Sequence, residues 1–280
     1  APKDIVLSTD ATQLIVSWNI NKWQVENIAV TPAKTILKSS ELNPAIKGEA
    51  FWWPTNTQNY FFLQNGQNLY RINIASRGSE RIAQNVSAVA MLDERLAVLS
   101  TSGRIEVIDE IGNTRGVDLN QKLFIPDSRG GTFHIQNNLV SFMDAKKNLF
   151  LLDPDTREFK LIDQEVLGAK FSQDSSKILY WTEREIWVEW LKVEQKGMEF
   201  PKGHRELVAR FSRNIIKVLW FADDNYVIVA LPDQLIALEI DGRDRRNTYS
   251  LFQGEIKNMT LANENSLLII QPQRIIKLDI

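Results

Sequence analysis

The sequence contains no cysteine. Disulfides, thiolate metal sites and a cysteine nucleophile are therefore excluded. Histidine is nearly as scarce, at two residues in 280, so imidazole offers little acid–base chemistry near neutral pH. No sign of charge dominates: 33 basic and 35 acidic residues leave a net charge of −2. Such a chain exerts no polyelectrolyte pull on nucleic acid or on an anionic membrane. No apolar run approaches the roughly 18–20 residues that span a bilayer as a helix, so direct membrane insertion is not expected. The G-x-S-x-G elbow, the P-loop, H-E-x-x-H and G-x-G-x-x-G are all missing. The sequence calls for no cofactor and no metal.

What it does contain is repetition. Short polar turns follow apolar strands at Asp10, Asn56, Asp93, Asn137, Asp174, Asp223 and Glu264. Three residues before each stand Leu7, Trp53, Ala90, His134, Phe171, Trp220 and Leu261. The turns recur about every 42 residues, a period that fits four strands per unit in a propeller. Each turn is followed by a β-rich run, such as Leu96–Ser100 or Val227–Ala230, then by a short hairpin such as Asn65-Gly66. A second run follows, and several of these end in turn residues, as at Asp153-Pro154-Asp155 and Asp241-Gly242. A more polar strand closes the unit.

This pattern predicts an all-β fold: a seven-bladed β-propeller of four-stranded antiparallel blades in one domain over 1–280. The blades fall at about 1–41, 42–84, 85–122, 123–165, 166–212, 213–253 and 254–280. Val188–Met198 tempts a helical reading, but its place in the repeat makes it strand plus an enlarged loop. The last unit has sequence for only three strands. An open sheet edge invites pairing, so the expectation is that a segment before Ala1 supplies the closing strand.

The run Ala169-Lys170-Phe171-Ser172-Gln173-Asp174-Ser175-Ser176-Lys177-Ile178-Leu179-Tyr180 resembles the F-S-P-D-G-K-x-I-x-Y repeat of TolB/WD40-like propellers. Leu238-Glu239-Ile240-Asp241-Gly242 looks like the later strand and turn of the same unit. The C-terminal stretch, with Trp220-Phe221-Ala222-Asp223-Asp224-Asn225-Tyr226 and Ile240-Asp241-Gly242-Arg243, is similar to propellers that end bacterial PEGA-domain surface proteins. The resemblance implies a propeller displayed outside the cell on a larger bacterial surface protein; a cytoplasmic location is the alternative. The Pro-Asp-Gly turn is nowhere intact, and the Gly-His and Trp-Asp pairs of WD40 repeats are absent from their expected places.

Few residues suggest chemistry. His134 occupies a repeat position otherwise held by apolar residues and reads as a packed residue; His204 lies between Lys202 and Arg205 in a polar loop and reads as exposed. The acid pairs Asp223-Asp224, Asp153 with Asp155, and Glu183 with Glu185 read as turn chemistry. The cluster Arg243, Arg245, Arg246 encloses Asp244 and reads as a solvated hairpin. Of eight tryptophans, Trp53, Trp181, Trp187, Trp190 and Trp220 fall on strands at repeat positions, where sheet packing is expected. Trp18, Trp23, Trp52 and Trp53 are the candidates for exposure, with Trp52 and Trp53 the pair offered as a ligand platform.

Propeller ligands meet loops on one face. The loops joining second to third strands, and blade to blade, share a face, and there Asn65, Arg129, Arg184 and Arg213 are the candidate binding residues. The leading expectation is a monomeric, non-catalytic domain that binds a protein or glycan partner and no nucleic acid. A glycan-acting lyase or hydrolase with a site at the channel mouth is one alternative, and it requires convergent titratable groups there. A structural spacer is the other.

Overall fold

The computed structural model describes residues 4–8, 12–19, 22–30, 32–42, 49–52, 59–92, 95–109, 114–116, 131–137, 139–153, 155–156, 158–192, 200–221, 224–242, 245–263 and 265–280. Strands dominate, and the single helical element among these residues is one 3-10 turn at Ser39–Glu41. Seven antiparallel sheets succeed one another along the chain; six have four strands and the last has three.

The first sheet holds β1 (Asp4–Leu7), β2 (Gln13–Asn19), β3 (Lys22–Asn27) and β4 (Lys34–Lys38). The second holds β5 (Glu49–Trp52), β6 (Tyr60–Asn65), β7 (Asn68–Asn73) and β8 (Ser79–Ala83). The third is β9 (Val86–Leu92), β10 (Arg95–Ser100), β11 (Ile105–Ile108) and β12 (Thr114–Gly116). The fourth is β13 (Thr132–Gln136), β14 (Leu139–Met143), β15 (Leu149–Leu152) and β16 (Phe159–Asp163). The fifth is β17 (Gly168–Phe171), β18 (Lys177–Trp181), β19 (Glu185–Trp190) and β20 (Arg205–Arg210). The sixth is β21 (Lys217–Trp220), β22 (Tyr226–Ala230), β23 (Gln234–Glu239) and β24 (Thr248–Gln253). The seventh is β25 (Asn258–Asn263), β26 (Ser266–Ile270) and β27 (Ile275–Asp279). Within every sheet the strands lie in sequence order, each paired with its successor.

The chain divides into two compact units. One comprises Pro2–Ala145 with Phe150–Ile162; the other comprises Lys146–Leu149 with Asp163–Ile280. In the first unit the two faces of β6 feed different cores. Phe61 joins Trp23, Val25 and Leu63, while its neighbour Phe62 joins Leu69, Val86 and Leu96. Strand alternation requires this, since successive side chains leave opposite faces. Trp23, expected to be exposed, is buried and meets Phe61 edge to face at 5.1 Å. The second unit repeats the device: Val227 and Val229 of β22 enter one core with Trp181, Trp190 and Trp220, and Ile228 and Ala230 enter another with Leu267 and Ile269. Strands covered on both faces read as unbroken apolar runs, and all five residues of β18 are buried.

A backbone hydrogen bond recurs where one sheet hands over to the next. A buried aliphatic residue entering the next sheet donates its N–H to the hairpin between the second and third strands of the sheet just left. Val86 donates to the Gln67 carbonyl at 3.0 Å, Val166 to Lys147 at 2.9 Å, Ile215 to Glu183 at 2.7 Å and Ile256 to Pro232 at 2.9 Å. These four donors are buried, at 1%, 0%, 3% and 2% exposure. Each latch fixes a connection against a hairpin tip and satisfies an amide that burial would otherwise strand.

The turn before β18 shows how the departure from Pro-Asp-Gly is accommodated. Ser172 Oγ accepts the N–H groups of Ser176 and Lys177 at 3.1 and 2.9 Å and donates to Asp174 at 2.7 Å. Ser175 stands where the resembled repeat has glycine and takes φ +59°.

Candidate functional site

In the second unit a cleft of about 950 Å3 opens between hairpin tips and connections. Its parts are the turn Lys146–Lys147, the connection Asp163, Gln164, Glu165 and Leu167, the hairpin Thr182–Glu185, and Asn214 with Ile215. Trp187 of β19 and Arg205 of β20 form its wall. Two of the latches described above, Val166 to Lys147 and Ile215 to Glu183, therefore hold its rim.

The β18–β19 hairpin is pinned from several sides. Thr182 N–H donates to the Glu185 carbonyl at 3.0 Å, and Glu185 N–H returns to Thr182 Oγ1 at 3.2 Å. Phe211 N–H donates to the Arg184 carbonyl at 2.9 Å. The backbone of the tip is thus fixed while the Arg184 side chain stays exposed.

Most carboxylates in the lining already have donors. Asp163 forms an ion pair with Arg205. The Arg205 guanidinium lies over the Trp187 ring at 4.6 Å and the Tyr180 ring at 5.1 Å, so cation–π attraction adds to the pairing. Glu185 accepts the Trp187 indole N–H at 3.0 Å and the Arg210 guanidinium at 2.6 Å. The indole hydrogen bond foremost, and Arg210 after it, hold the Glu185 carboxyl below its ordinary range against the opposing pull of burial. Glu183 accepts from the Asn214 amide at 2.5 Å. Lys147, Arg184 and Glu165 remain, and none has a side-chain hydrogen bond or ion pair among the described residues. Lys147 and Glu165 also sit at φ +67° and +58°. Backbone there favours glycine or asparagine by roughly 1–2 kcal/mol.

Two further titratable groups lie on the fifth sheet outside the cleft lining. Burial pushes the Glu189 carboxyl up, and the charge of Arg205 partly offsets it. Burial also pushes the Lys170 amine down to about 8, with the charge of Lys217 adding to the fall. Lys170 is on the edge strand β17, and its carbonyl accepts the Trp220 indole N–H at 3.0 Å.

The residues singled out from sequence fare differently. Arg184 lines the cleft. Arg213 is exposed on the connection that latches under the same hairpin, but its guanidinium is paired with Asp233. Asn65 ends β6 in the other unit, at a hairpin where Gly66 takes φ +55°. Trp52 ends β5; Trp53 and Arg129 lie outside the described residues. Of the basic cluster, Arg246 is paired with Glu206, whereas Arg243 and Asp244 lie outside the described residues. His204, expected to be exposed, is half-buried and stacks on Phe200 at 4.4 Å. Asp153 caps its turn, accepting from Asp155 and Thr156 at 2.9 and 3.2 Å.

Sequence reasoning missed Trp187. Ile186, Val188 and Trp190 enter the core, so alternation sends Glu185, Trp187 and Glu189 to the other face. The alternation Glu185-Ile186-Trp187-Val188-Glu189, which puts the tryptophan on the same face as two acids, was the available signal.

No group of three or more potential metal ligands occurs among the described residues. Among the same residues, no helix is long and apolar enough to cross a membrane.

No protein-family model matches the chain, and no curated protein matches it. Solved structures do match in fold. The extracellular domain of the hybrid two component system BT4673 from B. thetaiotaomicron superposes with a TM-score of 0.61 at 10% identity, over 96% of this chain and 36% of that one. A second structure of the BT4673 extracellular domain, there described as a one component system, gives 0.61 at 10% identity, over 95% and 36%. The chain thus spans about a third of the length of the domains it matches. At that identity the likeness is one of fold, and fold alone selects no function.

Proposed function

We propose that this chain is a non-catalytic ligand-binding domain, part of a larger protein outside the cell, and that its seven sheets are the blades of a single β-propeller domain over 1–280. The cleft walled by the fifth sheet carries the reading. Its rim is held by backbone latches, Asp163, Glu183 and Glu185 already accept hydrogen bonds, and Arg184, Lys147 and Glu165 have no side-chain partner among the described residues. That arrangement favours holding a ligand over transforming one. A general acid needs a carboxyl that keeps its proton near neutral pH, whereas Glu185 is held ionised. The extracellular setting is supported by the matched domains, which are extracellular.

The experiment is a thermal-shift screen of small polar ligands against the wild type and Gln164→Trp. Gln164 is exposed on the cleft-lining connection, so an indole there fills the space without touching the core. Ligands should raise the melting temperature of the wild type and not of the variant. Ligands that stabilise both equally would place binding elsewhere.

The enzyme reading has one observation in its favour, the raised carboxyl of Glu189 beside Arg205. It requires turnover of a bound ligand that Glu189→Gln abolishes without changing affinity.

A further inference from the structure

We propose that the cleft takes a hydroxylated oligo-anion, a short sugar chain bearing carboxylate or sulfate groups, and that Arg184 and Lys147 bind its oxyanions. This rests on the reading of the cleft as a ligand site and adds the chemistry of the ligand.

The charges at the mouth are unequally spent. Asp163 and Glu185 are paired with Arg205 and Arg210, while Glu183 accepts from the neutral Asn214 amide and keeps its charge. Arg184 and Lys147 have no side-chain partner among the described residues. A guanidinium brings five N–H donors in a fork suited to oxyanions, and an ammonium brings three. Glu165 is the one lining carboxylate without a side-chain partner among the described residues, and it suits a hydroxyl donor better than an anion. The Gln164 amide and the Thr182 hydroxyl can also bond hydroxyls.

Lys147 and Glu165 are charged residues at positive φ, joined by the latch between Lys147 and Val166.

Other ligand classes fit less well. A protein partner needs apolar anchors seated in desolvated pockets, yet the lining is mostly charged and polar. Single-stranded nucleic acid needs an open aromatic face for stacking, and Arg205 lies over the Trp187 ring.

The test is calorimetric titration of the whole chain with trigalacturonate, sulfated maltotriose and plain maltotriose. The first two distinguish carboxylate from sulfate as the recognised group. At least one anionic probe should bind, more than about tenfold tighter than plain maltotriose, and more weakly as salt rises. Arg184→Ala and Lys147→Gly should each weaken that binding about tenfold. Lys147→Gly suits the turn's positive φ, so its fold is not at risk. Equal binding of plain maltotriose, or anion binding unmoved in both variants, overturns the proposal, as does no binding by either anionic probe. If Gln164→Trp abolishes binding while both charge variants leave it unchanged, the site stands and the charge assignment falls.

Discussion

Replacing Lys170 with methionine should stabilise the protein at neutral pH, and the gain should vanish in alkali. A lysine whose amine is pushed from 10.5 to about 8 is charged in both folded and unfolded states below pH 8. There the fold bears the penalty of a desolvated ammonium. Between pH 8 and 10.5 the unfolded chain holds a proton that the folded chain has released, so stability rises with pH. Each tenfold change in acidity is worth about 1.4 kcal/mol, which sets a ceiling of roughly 3 kcal/mol for this group. Lys170 keeps partial contact with solvent, which screens the charge, so about 1–2 kcal/mol is the working expectation. Methionine retains the aliphatic stem and removes the charge. Urea unfolding of wild type and Lys170→Met at half-unit steps from pH 7 to 10.5 measures the difference directly. The variant should lead at pH 7 and lose its lead by pH 10.5. Lys217→Met should reproduce only a smaller part, because repulsion from Lys217 ranks below burial as a cause. A difference between wild type and Lys170→Met that stays flat across this range refutes the reasoning.

Two other substitutions probe the fold. A Cβ at Gly168 would meet the Trp181 ring at 2.3 Å, so Gly168→Ala should cost about 1–3 kcal/mol in urea unfolding; a neutral result means that the ring shifts freely. Asp153, paired with Lys160, has its carboxyl lowered from 3.8 to about 2, by the Lys160 hydrogen bond first. Its contribution should be full above pH 4 and fade towards pH 2, so Asp153→Asn should narrow its deficit against wild type over that range, read from acid unfolding curves.

The strand-and-turn pattern was legible because each strand is short, apolar and bounded by turn residues. The placement of Arg184 followed from the same register: the tip of a second hairpin must face outward. What could not be read was which face of a strand would find a neighbour. Trp23 stands between Lys22 and Gln24 and Trp187 between Ile186 and Val188, so alternation puts the first on an apolar face and the second on a charged one. Phe61, 38 positions downstream, covers the first, while the second meets Arg205 and the cleft. Alternation gives two faces but not what lies against each. The acidity of Lys170 was hidden for the same reason: it depends on burial and on Lys217, which belongs to the next sheet. Glu183 and Glu185 read as an equivalent pair of turn acids, yet one meets an amide and the other an indole and a guanidinium.

The latches between sheets bear on how such a chain can change in length. Gln67, Lys147, Glu183 and Pro232 sit at hairpin tips whose carbonyls are already taken by the next connection. An inserted residue at one of those tips would move an acceptor away from a buried donor. Between paired neighbours the chain runs longest from Trp190 to Arg205, away from those tips. In an ancestry of duplicated units, growth would therefore collect outside the latched tips. The rim of the cleft would stay the same size while the rest of the unit drifted.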